Sequence, residues 1–221
     1  MLAAAAGGIA AAEGPAGALA AIDVSHHSGA VDWQQVVEQG VGLVYLKATE
    51  GVDSADPMFE EHWQTLGELG IARGAYHFFV TEDDPEEQAK FFLSRLELRA
   101  GDLPPVVDVE LMGHGTTGDL KASLRRFLEM VEAEIGVTPV IYTSPNFWNA
   151  HFDSSFSRYP LWIAEYGVDQ PTLPAGWSTW LMWQYEENAA VPGIEKGADR
   201  SRLHPAANVQ AMVVQPDPPS P

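Results

Sequence analysis

The sequence predicts an α/β domain in which helices surround a β-barrel. Short runs rich in Val, Ile, Tyr and Phe alternate with helical patterns along the chain, and these runs are apolar at almost every position. Continuously apolar strands are typical of a parallel sheet that is covered on both faces. The length of 221 residues is enough for one barrel with a substantial core.

Seven strands are predicted from these runs. They lie at residues 20–25, 43–49, 74–80, 105–110, 139–143, 161–165 and 180–185. From about residue 160 the runs follow one another closely and leave little room for helices between them. We therefore expect a barrel that begins with regular β/α units and closes mainly with β-strands.

Four helices are predicted between the strands, at residues 33–39, 57–69, 85–99 and 118–135. Two of them open with a proline after an aspartate, at Pro57 after Asp56 and at Pro85 after Asp84. This order is typical of a helix N-terminus, because aspartate caps the first turn and proline fits its first position. The alternation of strand and helix predicts right-handed crossovers.

The two ends of the chain differ in composition from its centre. Residues 1–19 are rich in Ala and Gly, and they are interpreted as a flexible leader or the remnant of a secretory signal. Residues 215–221 form a proline-rich tail. The predicted domain spans residues 20–214, with no internal repeat. We expect an extracellular protein, although the leader lacks a basic segment.

Charge and composition exclude several classes of function. The chain has 31 acidic and 12 basic residues, a net charge of −19, which repels nucleic acids and anionic membranes. It has no cysteine, so disulfides, iron–sulfur clusters and thiolate zinc sites are excluded. No apolar run outside the leader is long enough to span a bilayer. We expect a monomer without cofactor or metal and without a nucleic-acid or membrane partner.

The strongest candidates for catalysis are Asp108 and Glu110. Residues two apart on a strand point to the same side, with Cα atoms roughly 6.6 Å apart. Two acids at the C-terminal end of an apolar strand lie where barrels place catalytic groups. Their repulsion should separate the two pKa values and leave one carboxyl protonated as an acid. The alternative is a structural pair bonded to Arg or His.

Other polar and aromatic residues follow the strand ends. Asp23 ends the first strand, and Tyr76 and Tyr142 are expected to point toward the barrel mouth. Trp162 and Trp183 are candidate surfaces for stacking a ring, although tryptophan in a strand more often belongs to a core.

The histidines and Lys47 are weaker candidates for the site. His77 should point away from Tyr76 and play a structural role, and Lys47 should pair with Glu50. His26 and His27 raise the alternative of a metal hydrolase, but they lack a recognised ligand spacing. Serine-hydrolase, P-loop and dinucleotide motifs do not occur.

Taken together, a series of short segments resembles glycoside hydrolase family 25, the lysozymes or muramidases. The segments lie at residues 22–26, 31–33, 46–51, 56–57, 74–78, 106–110, 141–143, 161–164 and 183–185. Each is common alone, but their order covers almost the whole chain. The resemblance implies a modified TIM-like barrel with five β/α units and three further strands. It also implies cleavage of the β-1,4 bond between N-acetylmuramic acid and N-acetylglucosamine in peptidoglycan.

The resemblance also implies roles for individual residues. Glu110 would be the general acid, Asp108 would hold and polarise the 2-acetamido group of the substrate, and Asp23 would line the same acidic centre. Asp199 matches the remaining acid of the family, but the run after it departs from the family's pattern, which puts its role in doubt. The resemblance favours Tyr76 and Tyr142 as substrate-binding residues.

Alternatives remain open for mechanism and function. An acetamido-assisted reaction with net retention is favoured, and an inverting reaction is its rival. The alternative functions are a glycan-binding barrel without turnover and a hydrolase of another N-acetylated polymer such as chitin.

Overall fold

The computed structural model describes residues 20–208 and 212–215, and its strands form a closed barrel. The strands in chain order are β1 (Ala20–Val24), β2 (Val41–Glu50), β3 (Ser54–Ala55), β4 (Ala72–Phe78), β5 (Val106–Asp108), β6 (Val140–Thr143), β7 (Leu161–Ala164), β8 (Met182–Ala189) and β9 (Ala198–Leu203). The expected leader at 1–19 and residues 216–221 of the expected tail lie outside the described residues.

The barrel contains eight of these strands. Its order is β1-β9-β8-β7-β6-β5-β4-β2, and the parallel pairing of β1 with β2 closes it. Strand β9 is antiparallel to both of its neighbours, β8 and β1, whereas the other barrel pairs are parallel. The two-residue β3 pairs only with the end of β2. Because seven strands run in one direction, their C-terminal ends open at the same mouth.

Five helices connect the first six barrel strands. They are α1 (Trp33–Glu38), α2 (Phe59–Leu69), α3 (Pro85–Leu93), α4 (Thr117–Ile135) and α5 (Pro145–His151). Each follows one barrel strand and precedes the next, and β7, β8 and β9 then follow without an α-helix. The predicted barrel of five β/α units closed by three strands is therefore confirmed. No helix in the described ranges is long and apolar enough to cross a bilayer.

Several elements differ from the sequence prediction, and the largest differences concern three of them. Helix α3 ends at Leu93 rather than at residue 99, although Leu96 and Leu98 still pack against the core from an irregular segment. Helix α5 was not predicted, although it begins with the helix N-terminal signal Ser144-Pro145. Strand β9 was not predicted from the residues, because its sequence ADRSRL has no apolar run.

Aromatic side chains fill the lower part of the barrel. The ring centroids of Tyr45 and Tyr142 both lie 5.1 Å from that of Trp162. Gly74 is paired with Tyr45 across β4 and β2, and a Cβ at Gly74 would lie 2.2 Å from the Tyr45 ring. Glycine at this position therefore makes room for the tyrosine.

His77 lies on the outer side of β4, as predicted, with none of its surface exposed. Its Nε2 lies 3.1 Å from Oε1 of Gln88, which can only accept, so Nε2 donates. Its Nδ1 therefore accepts from the hydroxyl of Thr49 at 2.8 Å. Burial, the largest cause, lowers the pKa of His77 to about 4. The imidazole is therefore neutral in the folded protein near neutral pH.

We expect His77 to make the fold sensitive to acid. An unfolded histidine binds its proton near pH 6.5, so its contribution to the free energy of unfolding is complete above that pH and is lost as the pH falls toward 4. The loss is about 3 kcal/mol. Urea unfolding of the wild type and of His77→Asn from pH 7 to pH 4 measures it. An equal pH dependence in both proteins would contradict this assignment.

Candidate active site

A cavity of about 200 Å³ opens at the C-terminal ends of the parallel strands. Inward-facing residues of all eight barrel strands, or of the segments that follow them, form its wall. They are Asp23, Ser25, His27, Lys47, Tyr76, Phe78, Val106, Asp108, Glu110, Tyr142, Trp162, Gln184 and Asp199. This is the end of a barrel at which loops and strand ends normally carry catalytic groups.

Four carboxyl groups meet in this cavity. Asp23 on β1 is paired directly with Asp199 on β9. Asp108 is the last residue of β5, and Glu110 follows two positions later. The backbone of Val109 still bonds to β6 through its N–H and through its carbonyl oxygen, so the strand alternation continues and Glu110 also lines the cavity. The structure thus brings together all four predicted acids.

Asp108 is buried, with 8% of its surface exposed. Its Oδ1 has no hydrogen-bond partner among the described residues. Burial raises its pKa well above the usual aspartate value, and the charges of Glu110 and Asp23 raise it further. A buried carboxylate oxygen without a donor is costly for the fold. Such an oxygen is available to a donor on a ligand.

Glu110 lies at the more exposed side of the cavity. Partial desolvation raises the pKa of its carboxyl, as does the charge of Asp199, while Lys47 opposes the change. Neither Glu110 nor Asp108 forms an ion pair with Arg or His in the described part of the chain, so the structural alternative has no support there. A carboxyl with a raised pKa keeps its proton at higher pH, as a general acid requires.

Gln184 on β8 links four polar groups. Its Nε2 donates to Oδ2 of Asp23 at 2.9 Å and lies 3.3 Å from Oδ2 of Asp199. Its Oε1 accepts from the hydroxyl of Tyr142 at 2.8 Å and from that of Tyr166. The residue is 1% exposed. The acids of β1 and β9, the phenol of Tyr142 on β6 and that of Tyr166 after β7 are therefore joined through one amide.

The structure brings three of the four predicted aromatic residues to the cavity. Tyr76, Tyr142 and Trp162 line the cavity. Trp162 is 2% exposed and its indole donates to Ser201, so it forms the cavity floor rather than an open surface. Trp183 does not reach the cavity: its indole donates to the carbonyl of Glu165, and Arg202 covers its ring at 4.1 Å. Trp183 faces outward because it adjoins the inward-facing Gln184 on the same strand.

Comparison with known proteins assigns the chain to a family. The sequence model of a protein family, described as glycosyl hydrolases family 25, matches residues 22–194 of the chain. The chain belongs to this family. The sequence-based identification of the family, the barrel and a glycosidase of the lysozyme type is thereby confirmed.

Relatives of this family 25 chain include curated proteins and solved structures. YegX of Escherichia coli (strain K12), an uncharacterized protein, is 35% identical over 183 residues, which cover 80% of this chain and 66% of YegX. Lysozyme M1 of Streptomyces globisporus is 33% identical over 199 residues, 84% of this chain and 68% of that protein. A bacterial lysozyme from Streptomyces coelicolor matches with a TM-score of 0.84 and 30% identity, over 90% of this chain and 98% of the other.

The histidines of the metal alternative have other contacts in this family 25 barrel. Nδ1 of His26 lies 2.8 Å from Oδ2 of Asp56, and His27 lies at the cavity rim. Within the described ranges, no three His, Asp or Glu side chains lie in an arrangement that could hold one metal ion. Lys47 forms the predicted ion pair with Glu50 at 2.5 Å.

A polar contact holds the segment that follows Glu110. The backbone N–H of Gly113 donates to the hydroxyl of Thr81, and that of His114 donates to Oε1 of Glu82, both at 2.7 Å. A Cβ at Gly113 would lie 1.8 Å from the same carboxyl oxygen. Glycine therefore allows the two loops to approach closely. Sequence reasoning missed this contact, as it missed Gln184 and Tyr166.

Proposed function

We propose that this chain is a lysozyme that hydrolyses the β-1,4 bond between N-acetylmuramic acid and N-acetylglucosamine in bacterial peptidoglycan. The observation that carries the proposal is the acidic cavity, with Glu110 at its exposed side and the unpartnered Oδ1 of Asp108 within it. The names of relatives such as Lysozyme M1 support it. The protein acts outside the cytoplasm, where this polymer lies, and it acts as a monomer.

Glu110 and Asp108 have different tasks in this proposal. Glu110 acts as general acid and then as general base, because its carboxyl is reachable and its pKa is raised. Asp108 accepts the N–H of the substrate's 2-acetamido group through the unpartnered Oδ1 and stabilises the positive charge that develops on this group. Asp23 and Asp199 complete the negative field of the cavity. Tyr76 and Tyr142 contact the sugar from neighbouring strands, and Trp162 bounds the cavity below.

The reaction proceeds through the substrate's own acetamido oxygen. This oxygen attacks the anomeric carbon, the glycosidic C–O bond breaks, and Glu110 gives its proton to the leaving oxygen. The ring formed carries one positive charge, which Asp108 balances. Glu110 then takes a proton from water, whose oxygen opens the ring at the anomeric carbon. Two inversions give net retention.

The anomer released first tests this mechanism. With retention, proton NMR recorded within the first minutes of cleavage should show the β-anomer before mutarotation. An initial α-anomer would establish the inverting route, in which a carboxylate activates water directly. A cell-wall fragment of defined length serves as the substrate.

The pH dependence of kcat/KM follows from the raised pKa of Glu110. The reaction needs Glu110 protonated, so activity falls as the pH rises through this pKa, which desolvation and Asp199 hold above the usual glutamate value. We expect an optimum on the acidic side of neutrality. Initial rates in buffers of constant ionic strength check this, and an optimum above pH 8 would contradict it.

The function itself is tested with purified bacterial cell walls. The wild type should clear the suspension and release fragments whose new reducing ends are N-acetylmuramic acid, identified by borohydride reduction and mass spectrometry. Clearing without new reducing ends would refute hydrolysis of this bond. Cleavage of chitin oligosaccharides but not of cell walls would support the other N-acetylated polymer, and binding to walls without any product would support a glycan-binding barrel.

A further inference from the structure

The amide of Gln184 uses its whole hydrogen-bonding capacity inside the cavity wall. A glutamine side chain has two N–H donors and one oxygen with two lone pairs. The two donors face Oδ2 of Asp23 and Oδ2 of Asp199, and the oxygen faces the hydroxyls of Tyr142 and Tyr166. No capacity is left for a ligand. The role of Gln184 must therefore be exerted through its four neighbours.

The direction of these hydrogen bonds follows from the chemistry of the partners. Ionised carboxylates can only accept, so the NH2 group must face Asp23 and Asp199. The amide oxygen then faces the two phenols, which must donate to it. The hydroxyl protons of Tyr142 and Tyr166 therefore point toward Gln184. Tyr142 lines the cavity, and toward it this phenol offers lone pairs only.

This orientation gives the cavity wall one side that accepts hydrogen bonds and one side that donates them. Tyr142 is paired with Asp108 across β6 and β5, and both residues line the cavity. Both groups accept hydrogen bonds, which favours a ligand that presents N–H or O–H donors on this side. Tyr76, on the other side of Asp108, is not a partner of Gln184 and keeps its proton for the cavity.

Gln184 also holds two carboxylates that repel each other. Asp23 and Asp199 are directly paired on neighbouring strands, and the charge of Asp199 raises the pKa of Asp23 after the larger effect of burial. The hydrogen bond from Gln184 acts in the opposite direction and favours the ionised form of Asp23. Without the NH2 group between them, the two side chains would turn apart or share a proton.

We propose that Gln184 is a positioning residue that fixes Tyr142 as an acceptor toward the cavity and holds Asp23 and Asp199 side by side. The inference rests on the proposed function, since it assigns the side of the cavity that receives the acetamido N–H. Gln184 touches no reacting atom. It acts by keeping donors and acceptors in one arrangement before the substrate binds.

Two substitutions of similar size separate positioning from packing. Gln184→Met keeps the volume but removes all four hydrogen bonds, and we expect kcat to fall about 10²-fold at every pH, as misplaced groups commonly cause. Gln184→Glu keeps a carbonyl oxygen for the phenols, and its protonated form keeps one O–H donor for the acids. Its activity should approach the wild type at low pH and fall as the new carboxyl ionises beside Asp23 and Asp199.

Gln88→Met is the matched control. Gln88 is fully buried and bonds to His77 and Val80, but it does not line the cavity. Its replacement should lower the melting temperature and leave the pH profile of kcat unchanged. If Gln184→Met loses only stability, as the control does, the positioning role is refuted. If Gln184→Met does not fold, the pH-dependent ratio of Gln184→Glu to wild type decides, and a constant ratio refutes the proposal.

The wild type on the same cell walls tests the proposed function separately. If it leaves walls intact but cleaves a chitin oligosaccharide, the lysozyme proposal fails and the variant ratios are measured on that oligosaccharide. The dissociation constant of a wall fragment, measured by calorimetry, provides a readout without turnover. We expect Gln184→Glu to bind more weakly as the pH rises relative to the wild type. If the ratio of the two dissociation constants does not change with pH, the proposal that Gln184 holds the accepting groups of the cavity in place is contradicted.

Discussion

Glu110→Gln should lower kcat by about 10³-fold, within the range that a general acid and base contributes. The amide has almost the same shape, but it cannot give a proton to the leaving oxygen or take one from water. KM should change little, because the substrate is held mainly by other groups of the cavity. Release of reducing ends from soluble cell-wall fragments measures both constants.

Glu187→Gln is the control for the loss of one negative charge near the mouth. Glu187 is exposed on β8 and does not line the cavity, although its charge raises the pKa of Asp199. Its replacement should leave kcat within a few-fold of the wild type. If Glu110→Gln retained wild-type kcat, or if both variants lost the same activity, Glu110 would not be the proton donor.

The positions of Asp108 and Glu110 could be predicted from the sequence because they lie at the end of one short apolar strand. Alternation along a strand sets which side chains share a face, and burial of two acids has no structural benefit. Alternation also applies at Trp183-Gln184, where only one of the two residues can face inward, but it does not say which one. The sequence offered Trp183 as the candidate, and the structure places Gln184 in the cavity.

Strand β9 shows why the other half of the site was harder to predict. Its inward residues Asp199 and Ser201 are polar because they border the cavity and the floor, and its outward Arg202 covers Trp183. A strand with polar residues on both faces gives no periodic signal. Asp199 was therefore reached only through the resemblance to the family. Its pairing with Asp23 depends on the closure of the barrel, which no local pattern encodes.

The acidic cavity lowers the stability of the fold at neutral pH. Burial raises the pKa of both Asp108 and Asp23 above the usual aspartate value. A carboxyl whose folded pKa is raised binds its proton more tightly in the folded than in the unfolded chain. Its presence therefore reduces the free energy of unfolding as the pH rises above the usual aspartate range. Functional sites commonly lower the stability of a fold in this way, because their groups are arranged for activity.

Asp108→Asn should therefore lower activity and raise stability together. We expect kcat to fall about 10²-fold, because the neutral amide cannot balance the charge that develops on the acetamido group. The melting temperature should rise at pH 7, because a buried charge is removed, and the gain should vanish in acid, where Asp108 is protonated in both states. Activity assays and thermal unfolding at several pH values measure the two effects.

Asp153→Asn is the control, because it makes the same chemical change at an aspartate whose pKa is lowered rather than raised. Hydrogen bonds from Lys121 and Ser155 lower the pKa of Asp153, so its charge is favourable in the folded protein and its removal should not raise the melting temperature. A gain in Asp108→Asn alone shows that the buried position, rather than the loss of overall negative charge, is responsible. If Asp108→Asn lost both activity and stability, misfolding would explain the loss, and Asp108 would have to be regarded as a structural residue.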